Sequence, residues 1–591
     1  MPSIRVLRIK SVAVGLLLLL TNPIQTVVTA TANATPSTCS DETCPSNESS
    51  SAQKTQKQTP IIPPVLMLPD MSAVLNRGLD MKGEYVHNQA MKLHSEGRLP
   101  IAVQLFAVST KLLPFGSRIW TNFGYALVDL AESPGGGVAE ERVGLLCEAV
   151  ASLEMAIALG GRNEGISSVI DDAMNLLLQT SPSSSSSNDV CRSTTNTSPS
   201  AAEKCFQKQC IQPRGKRYAN SRRAMQQQQS SKAASSLSIT QTLCTRGTGV
   251  TVRPSPYEQA RGVLSAATVY EVFALFRFCG VVAVGDLIDR REVEVVRVGV
   301  LKAFEEAKPE RDRMTTKGKG VVEGERLSLR DKTGADARWE LKLPVTEPPF
   351  RNTNVADNSL LVALSKLLMA GPNVVVDTLS TVISLPGCPI GHWHRDVEDP
   401  FFYYAGLMGN DDDGTSSSSS GRHLPPPAVV AVVPLLEVGG KIDNGPTEFL
   451  MGSHITPIRD DSDWWTHQQT AQTPLVQSLE LTLPATPGTI ILFDIRLRHR
   501  GGANRSNEPR PILYLGYTMR WFRDAANFVD PHTMGWEELE GGEARKALFG
   551  RLDTQEYTKM LERELVDVYG VDLDTIKARA GGGGERVKGG R

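Results

Sequence analysis

The stretch that decides the fold reads Gly-His-Trp-His-Arg-Asp and spans residues 391–396. It follows a β-branched run at residues 374–384, which predicts a strand leading into it. Residues two apart in an extended chain point to the same face, so His394 and Asp396 can approach one metal ion. His499, far downstream, is the candidate third ligand. Two histidines and one carboxylate on one face of Fe(II) leave the opposite positions open for a co-substrate and O2.

The sequence around this stretch predicts an all-β core behind a helical segment. Short apolar or β-branched runs at 428–435, 481–483, 489–494 and 512–519 are separated by Gly and Pro, as in a sandwich or barrel. Upstream, apolar residues recur every three to four positions through residues 84–159, which predicts helices. The expected fold class is therefore α+β.

Four motifs occur in the order typical of one oxygenase family. They are His394-x-Asp396; Asn444-Gly445-Pro446 with Gly452-Ser453-His454; Pro487-Gly488 with Phe493-Asp494; and His499 with Asn504-Arg505-Ser506 and Arg510. On these motifs, residues 276–519 resemble the phytanoyl-CoA dioxygenase branch of the Fe(II)/2-oxoglutarate oxygenases. The resemblance implies a double-stranded β-helix (jelly roll) with His394, Asp396 and His499 as metal ligands.

The resemblance also implies the co-substrate and its contacts. Arg510 lies eleven residues after His499, the family's spacing, and would bind the distal carboxylate of 2-oxoglutarate. Its planar guanidinium can hold a carboxylate by two hydrogen bonds. Asn504, Ser506 and Asn444 are further candidates for co-substrate binding. The implied cofactors are Fe(II), 2-oxoglutarate and O2, with ascorbate as an additional candidate.

Some positions depart from the family pattern or extend it. The family often has a small hydroxyl residue two positions after the distal histidine, where this chain has Gly501. Asp396 supplies the carboxylate that halogenating relatives lack, so we expect hydroxylation. Arg338 and Lys342 precede the core, and the sequence does not decide whether they face the site or solvent. His454 is expected to pack in a loop and not to bind metal.

Two other functions compete with this interpretation. A cupin-type metalloprotein would use His392, His394 and Glu398, since the segment also approximates a cupin pattern. Nothing in a cupin requires Arg510, which favours the oxygenase. Alternatively, the helical segment would be an interaction module and the oxygenase fold a relic.

The predicted domain organisation follows from composition and periodicity. The ranges are 1–34, a signal peptide; 35–80, a disordered stalk; 81–180, a tetratricopeptide-like helical domain; 181–255, a low-complexity linker; 256–535, the oxygenase domain; and 536–591, a C-terminal helix with a disordered tail. A helical domain before an oxygenase is similar to the arrangement of collagen-type prolyl and lysyl hydroxylases, and this resemblance implies a peptide substrate and a protein partner. The oxygenase family itself suggests a lipid or small molecule, and both alternatives stay open.

The N-terminal pattern and the cysteines indicate the secretory pathway. A basic start and an apolar run at residues 12–20 are typical of a cleaved signal peptide, with membrane anchoring by residues 11–30 as the alternative. After cleavage we expect no stable membrane span. A net charge of −2 gives no case for nucleic acid.

Six of the nine cysteines lie in polar segments and are expected to form disulfides, with the pairing left open. They are Cys39, Cys44, Cys191, Cys205, Cys210 and Cys244. The other three, Cys147, Cys279 and Cys388, are expected to be core thiols because their surroundings are apolar.

Overall fold

Two β-sheets and the helices packed against them form the described part of the chain. The computed structural model describes residues 83–134, 137–161, 163–180, 191, 199–229, 239, 243–244, 249–317, 327–329, 338–397, 425–454, 480–522 and 543–549. All of them belong to the unit Thr59–Arg591. The predicted signal peptide and stalk, and most of the predicted C-terminal tail, lie outside the described residues.

The strands of the described residues form two sheets. The strands are β1 Thr251–Val252, β2 Val281–Val284, β3 Leu327–Leu329, β4 Arg338–Leu341, β5 Val374–Ser384, β6 Ala428–Pro434, β7 Thr447–Leu450, β8 Glu480–Thr482, β9 Ile490–Asp494, β10 His499–Gly501 and β11 Arg510–Met519. The larger sheet has the order β1-β2-β9-β6-β11-β5-β4-β3, and the smaller one has the order β10-β7-β8. All pairs are antiparallel except β1 with β2.

The long strands β5 and β11 form the centre of the larger sheet. Both are rich in β-branched and aromatic residues, which suit a pleated buried surface. Their register pairs Arg510 with Ser384 at one end and Met519 with Val374 at the other. A register irregularity lies between Gly516 and Tyr517. This pairing fixes which side chains of the two strands meet beside the predicted site.

Helices before the sheet form the N-terminal region. They are α1 Gly83–Ser95, α2 Leu99–Leu112, α3 Ser117–Glu132, α4 Ala139–Ala158, α5 Asn163–Thr180, α6 Pro199–Phe206 and α7 Lys216–Gln229, with a π-helical turn Gln207–Ile211 and a 3-10 turn Gln212–Arg214. Sequential neighbours among α1–α5 pack together. The helical nature predicted for residues 81–180 therefore agrees with the structure, while the tetratricopeptide assignment stays a prediction.

Later helices surround the sheet. They are α8 Pro256–Arg261, α9 Ala266–Cys279, α10 Arg290–Glu306, α11 Lys308–Lys317, α12 Ser359–Leu368 and α13 Glu543–Phe549, with a 3-10 turn Phe350–Asn352. The α9 helix begins at a Ser265 cap and ends at Gly280, whose φ of 75° is the left-handed conformation that glycine tolerates best. The chain then enters β2 directly. Helices ahead of a mixed sheet agree with the predicted α+β class.

The helical region and the sheet share one hydrophobic core through α9. Nearly every residue of α9 is buried, and the helix packs against α4, α7 and α12 as well as β2. Buried polar contacts cross the same boundary: Arg217 pairs with Glu271, and the backbone N–H of Ala266 donates to Glu148 at 2.5 Å. The predicted boundary between a helical domain and an oxygenase domain therefore does not separate two cores.

The predicted low-complexity linker at 181–255 differs from the structure. Its described residues include α6 and α7, which bury Phe206, Tyr218 and Met225. The buried guanidinium of Arg222 bonds to Glu154 of α4 at 2.6 Å and to Glu203 of α6 at 2.9 Å. These tertiary contacts order a polar segment whose composition alone indicates a solvated linker.

Disulfides involve two cysteines that were predicted to be core thiols. The pairs are Cys147–Cys210, Cys191–Cys205 and Cys244–Cys279, and Cys388 is a buried free thiol. The prediction was therefore wrong for Cys147 and Cys279. Apolar neighbours in the sequence do not distinguish a core thiol from a disulfide-bonded cysteine, because the partner cysteine can lie in a distant polar segment. Cys39 and Cys44 lie outside the described residues.

No helix in the described ranges is long and apolar enough to span a bilayer.

Candidate metal and co-substrate site

Backbone pairing places His394 and His499 side by side. The two residues form an antiparallel bridge in which each backbone N–H donates to the other's carbonyl, at 3.0 and 2.9 Å. Their ring centroids lie 4.4 Å apart. Phe493 of β9 packs against the His499 ring, at 4.7 Å between centroids. Two histidines that are distant in sequence therefore meet through one local strand pairing.

A backbone carbonyl two residues earlier orients each imidazole ring. The Nδ1 atom of His394 lies 2.9 Å from the carbonyl oxygen of His392, and that of His499 lies 3.0 Å from the carbonyl oxygen of Leu497. A carbonyl oxygen can only accept, so each Nδ1 carries the proton and donates it. Each Nε2 then keeps its lone pair for a metal ion, the arrangement common to metal-binding histidines.

Asp396 completes a group of three potential ligands. Its Oδ1 atom lies 3.8 Å from His394 Nε2 and 3.7 Å from His499 Nε2. The ligand atoms of the three residues all lie within 4.8 Å of one another. His394 has a side-chain exposure of 51 %, against 6 % for His499, so the group opens toward solvent on the His394 side. Two imidazoles and one carboxylate with an open side are a donor set that fits Fe(II).

Arg510 is buried in the same cavity as the three ligands. Its side chain is 1 % exposed; Nη2 donates to the Ser384 hydroxyl at 2.5 Å, and Nη1 donates to the Gly445 carbonyl. Its buried Nε has no hydrogen-bond partner among the described residues. Burial lowers the pKa of Arg510 to about 10, which leaves the guanidinium charged at neutral pH. A fixed, enclosed cation of this kind suits a carboxylate ligand.

The three other predicted co-substrate contacts are used inside the fold. Asn444 accepts from the Gly439 N–H and donates to the Glu437 carbonyl. Asn504 donates to the carbonyls of Ser384 and Glu508, each at 2.9 Å. None of these side chains lines the cavity.

Ser506 does not line the cavity either. Its hydroxyl donates to the Asn504 side chain at 2.7 Å. The amides and hydroxyl in this group satisfy local backbone groups and fix the loops beside Arg510. The structure does not bring Asn444, Asn504 and Ser506 to the cavity, and their contact with the co-substrate stays a prediction.

The cavity has a volume of about 370 Å³ and is built on β5, β6 and β11. Its polar lining includes Arg338, Thr378, Ser380, Tyr514 and Thr518 in addition to the predicted residues. Arg338 was one of two upstream cations whose orientation the sequence left open; it lines the cavity, whereas Lys342 does not. The side chain reaches the cavity through the pairing of Arg338 with Ser384 of β5, which no local pattern in the sequence indicates.

The cupin-type alternative depends on His392 and Glu398. The metal-ligand group found among the described residues contains His394, Asp396 and His499, without His392. His392 lines the cavity, and its backbone carbonyl orients the His394 ring. Glu398 lies outside the described residues. The geometry therefore favours Asp396 as the carboxylate ligand.

Comparisons with known proteins give a family-model match and several similar solved structures. The family model "Phytanoyl-CoA dioxygenase (PhyH)" matches residues 276–512. A similar solved structure is the non-heme alpha ketoglutarate dependent epimerase SnoN from nogalamycin biosynthesis, with 19 % identity over 43 % of this chain and 83 % of that one, at a TM-score of 0.27.

Another similar structure is AviO1 from Streptomyces viridochromogenes Tue57, with 20 % identity over 41 % of this chain and 91 % of that one, at a TM-score of 0.26. No curated protein matches the chain. The match of the family model confirms the predicted jelly-roll class: residues 276–512 form a domain of the phytanoyl-CoA dioxygenase family.

Proposed function

We propose that the chain is an Fe(II)/2-oxoglutarate-dependent dioxygenase that hydroxylates a C–H bond of its substrate. The observation that carries this proposal is the convergence of His394, Asp396 and His499 within one cavity that also contains the Arg510 guanidinium. A metal site alone would fit many enzymes. A buried arginine beside a two-histidine, one-carboxylate group adds a binding site for a dianionic oxo acid.

Each residue has a distinct role in this proposal. His394, Asp396 and His499 would hold the ion, which supplies the redox chemistry for coupling 2-oxoglutarate decarboxylation to substrate oxidation. Arg510 would bind the distal carboxylate. Because Arg510 is held by the Ser384 hydroxyl and the Gly445 carbonyl, its guanidinium is already oriented before the co-substrate arrives.

A small molecule is the proposed substrate class. The cavity volume of about 370 Å³ is at the lower end of ligand pockets, and the co-substrate occupies part of it. The helical region shares its core with the sheet, which weakens the case for a separate peptide-binding module. Hydroxyl-bearing side chains such as Thr378 and Ser380 favour a substrate with polar groups.

Succinate formation tests the proposal. Full-length protein is incubated with Fe(II), ascorbate and 2-oxoglutarate, and succinate is measured with and without candidate substrates. We expect turnover that His394→Ala abolishes and the matched variant His392→Ala retains. Loss of bound iron in His392→Ala alone would support the cupin-type site instead. Absence of any turnover in iron-loaded protein would favour a non-catalytic interaction protein.

We also propose that the protein folds in the secretory pathway. The observation in support is the set of three disulfides, two of which join residues 63 and 35 positions apart. Disulfides of this kind persist in oxidising compartments. Expression with the intact N-terminus should give a secreted or luminal product in which Cys147 and Cys210 resist alkylation. A cytosolic product with both thiols alkylated would contradict the proposal.

A further inference from the structure

A second arginine lies beside Arg510, on the opposite side of one serine. Strand β5 is flanked by β4 and β11, and their registers pair Ser384 with both Arg338 and Arg510. The Ser384 hydroxyl oxygen accepts from Arg510 Nη2 at 2.5 Å and from Arg338 Nε at 3.3 Å. Both guanidinium groups line the cavity. The two guanidinium groups thus share the buried Ser384 hydroxyl as a hydrogen-bond acceptor.

Two glycines leave the space that the Arg338 guanidinium occupies. A Cβ atom at Gly391 would lie 2.8 Å from Arg338 Nη1, and one at Gly501 would lie 2.8 Å from Arg338 Cζ. Either substitution would force the planar group to move. Backbone carbonyls of Pro389 and Gly502 accept from its Nη2, at 3.2 and 3.3 Å. The guanidinium is therefore fitted between the two backbone segments that continue to the histidine ligands.

An anion that enters the cavity near Arg338 and Arg510 meets two positive charges. Arg338 is one of the influences that lower the pKa of Arg510, after the larger effect of burial. Asp396 is the sole acidic side chain among the described residues that line the cavity, and it belongs to the metal-ligand group. Two neighbouring guanidinium groups repel each other, so a ligand anion that contacts both of them is bound more tightly than by either alone.

We propose that Arg338 is a second binding residue for the co-substrate, and that it holds the same distal carboxylate as Arg510. This inference rests on the proposed function. The carboxylate lies between the two guanidinium groups and accepts from both. The pairing selects oxo acids that carry a second carboxylate.

A comparison of two ligands with two proteins tests this assignment. Full-length protein loaded with Mn(II) is titrated calorimetrically with 2-oxoglutarate and with 2-oxopentanoate, which has a methyl group in place of the distal carboxylate. We expect Arg338→Gln to weaken 2-oxoglutarate binding by about ten- to a hundredfold and 2-oxopentanoate binding by less than about twofold. Arg505→Gln, which removes an exposed charge outside the cavity, should bind both like the wild type.

The outcomes separate this inference from the proposed function. Equal weakening of both ligands would mean that Arg338 only supports the fold. Unchanged 2-oxoglutarate binding would overturn the shared-carboxylate assignment and leave Arg338 to contact the substrate. If Arg338→Gln does not fold, Gly501→Ala displaces the guanidinium by a different route and should show the same ligand selectivity. Wild-type protein that binds neither acid would overturn the proposed function itself.

Discussion

Acidification should destabilise the protein through one buried histidine. His454 is 8 % exposed, and burial lowers its pKa to about 4 from an ordinary value of 6.5. Its Nε2 lies 3.1 Å from the Arg277 carbonyl, to which it donates, and its Nδ1 has no hydrogen-bond partner among the described residues. The native state therefore holds His454 neutral, and the residue packs in a loop as the sequence predicts.

The sign and size of the change in the free energy of unfolding follow from the difference between the native and unfolded pKa of His454. Below pH 6.5 the unfolded state takes up a proton that the native state does not take up until its pKa of about 4, so stability falls as the pH falls through this window. One pKa unit corresponds to about 1.4 kcal/mol, which gives a loss of about 2 kcal/mol between about pH 7.5 and about pH 5. Above about pH 7.5 the residue is neutral in both states and contributes no pH dependence.

Urea denaturation of wild type and His454→Gln at both pH values measures this loss. Glutamine keeps a donor for the Arg277 carbonyl but does not titrate, so its free energy of unfolding should fall by about 2 kcal/mol less than that of the wild type. Taking the difference between the proteins removes the contribution of other titrating groups. Equal pH dependence in both proteins would refute a neutral, buried His454.

The loop that contains His454 also supports the metal-ligand strands. The Ser453 hydroxyl accepts from the Arg498 N–H at 2.9 Å, and the Ser453 carbonyl accepts from Arg395 at 2.8 Å. Arg498 precedes His499, and Arg395 lies between His394 and Asp396. Because native His454 stays mostly neutral at about pH 5, above its pKa of about 4, this support of the metal-ligand strands should persist at that pH.

Three further changes test the site and the shared core. His499→Ala should abolish calorimetric Mn(II) binding while leaving the circular dichroism spectrum unchanged. Arg222→Met should lower the free energy of unfolding by about 3–5 kcal/mol because it leaves the Glu154 carboxylate buried without its cation, and added Glu154→Gln should recover part of this loss in urea denaturation. Reduction of Cys147–Cys210, whose partners are 63 residues apart, should cost about 4 kcal/mol and lower the thermal midpoint; an unchanged midpoint would contradict this.

Two members of the metal-ligand group could be predicted from the local sequence. His394 and Asp396 are two positions apart in an extended segment, and that spacing alone places them on one face. His499 and Arg510 followed from the family's motif order. The structure brings the first three together and places Arg510 in the same cavity.

Other parts depend on pairings that no local pattern encodes. Arg338 reaches the cavity because β4 pairs with β5 in one particular register, and a shift of one residue would point it away. Asn504 and Ser506 have residue types suited to ligand binding, yet their polar groups are satisfied within their own loop. The described residues between 181 and 255 have a polar sequence, and disulfides, a buried ion pair and the burial of Phe206, Tyr218 and Met225 hold them against the rest of the fold.

The burial of α9 on all sides has a consequence for where a folding fragment of the chain can be cut. The family match begins at residue 276, inside α9 (Ala266–Cys279), and ends at residue 512, inside β11 (Arg510–Met519). A fragment cut at those limits would keep only the last turn of the helix and the first residues of a central strand. A fragment that keeps the packing of α9 against β2 and of β11 against β5 and β6 must therefore extend beyond the family match on both sides.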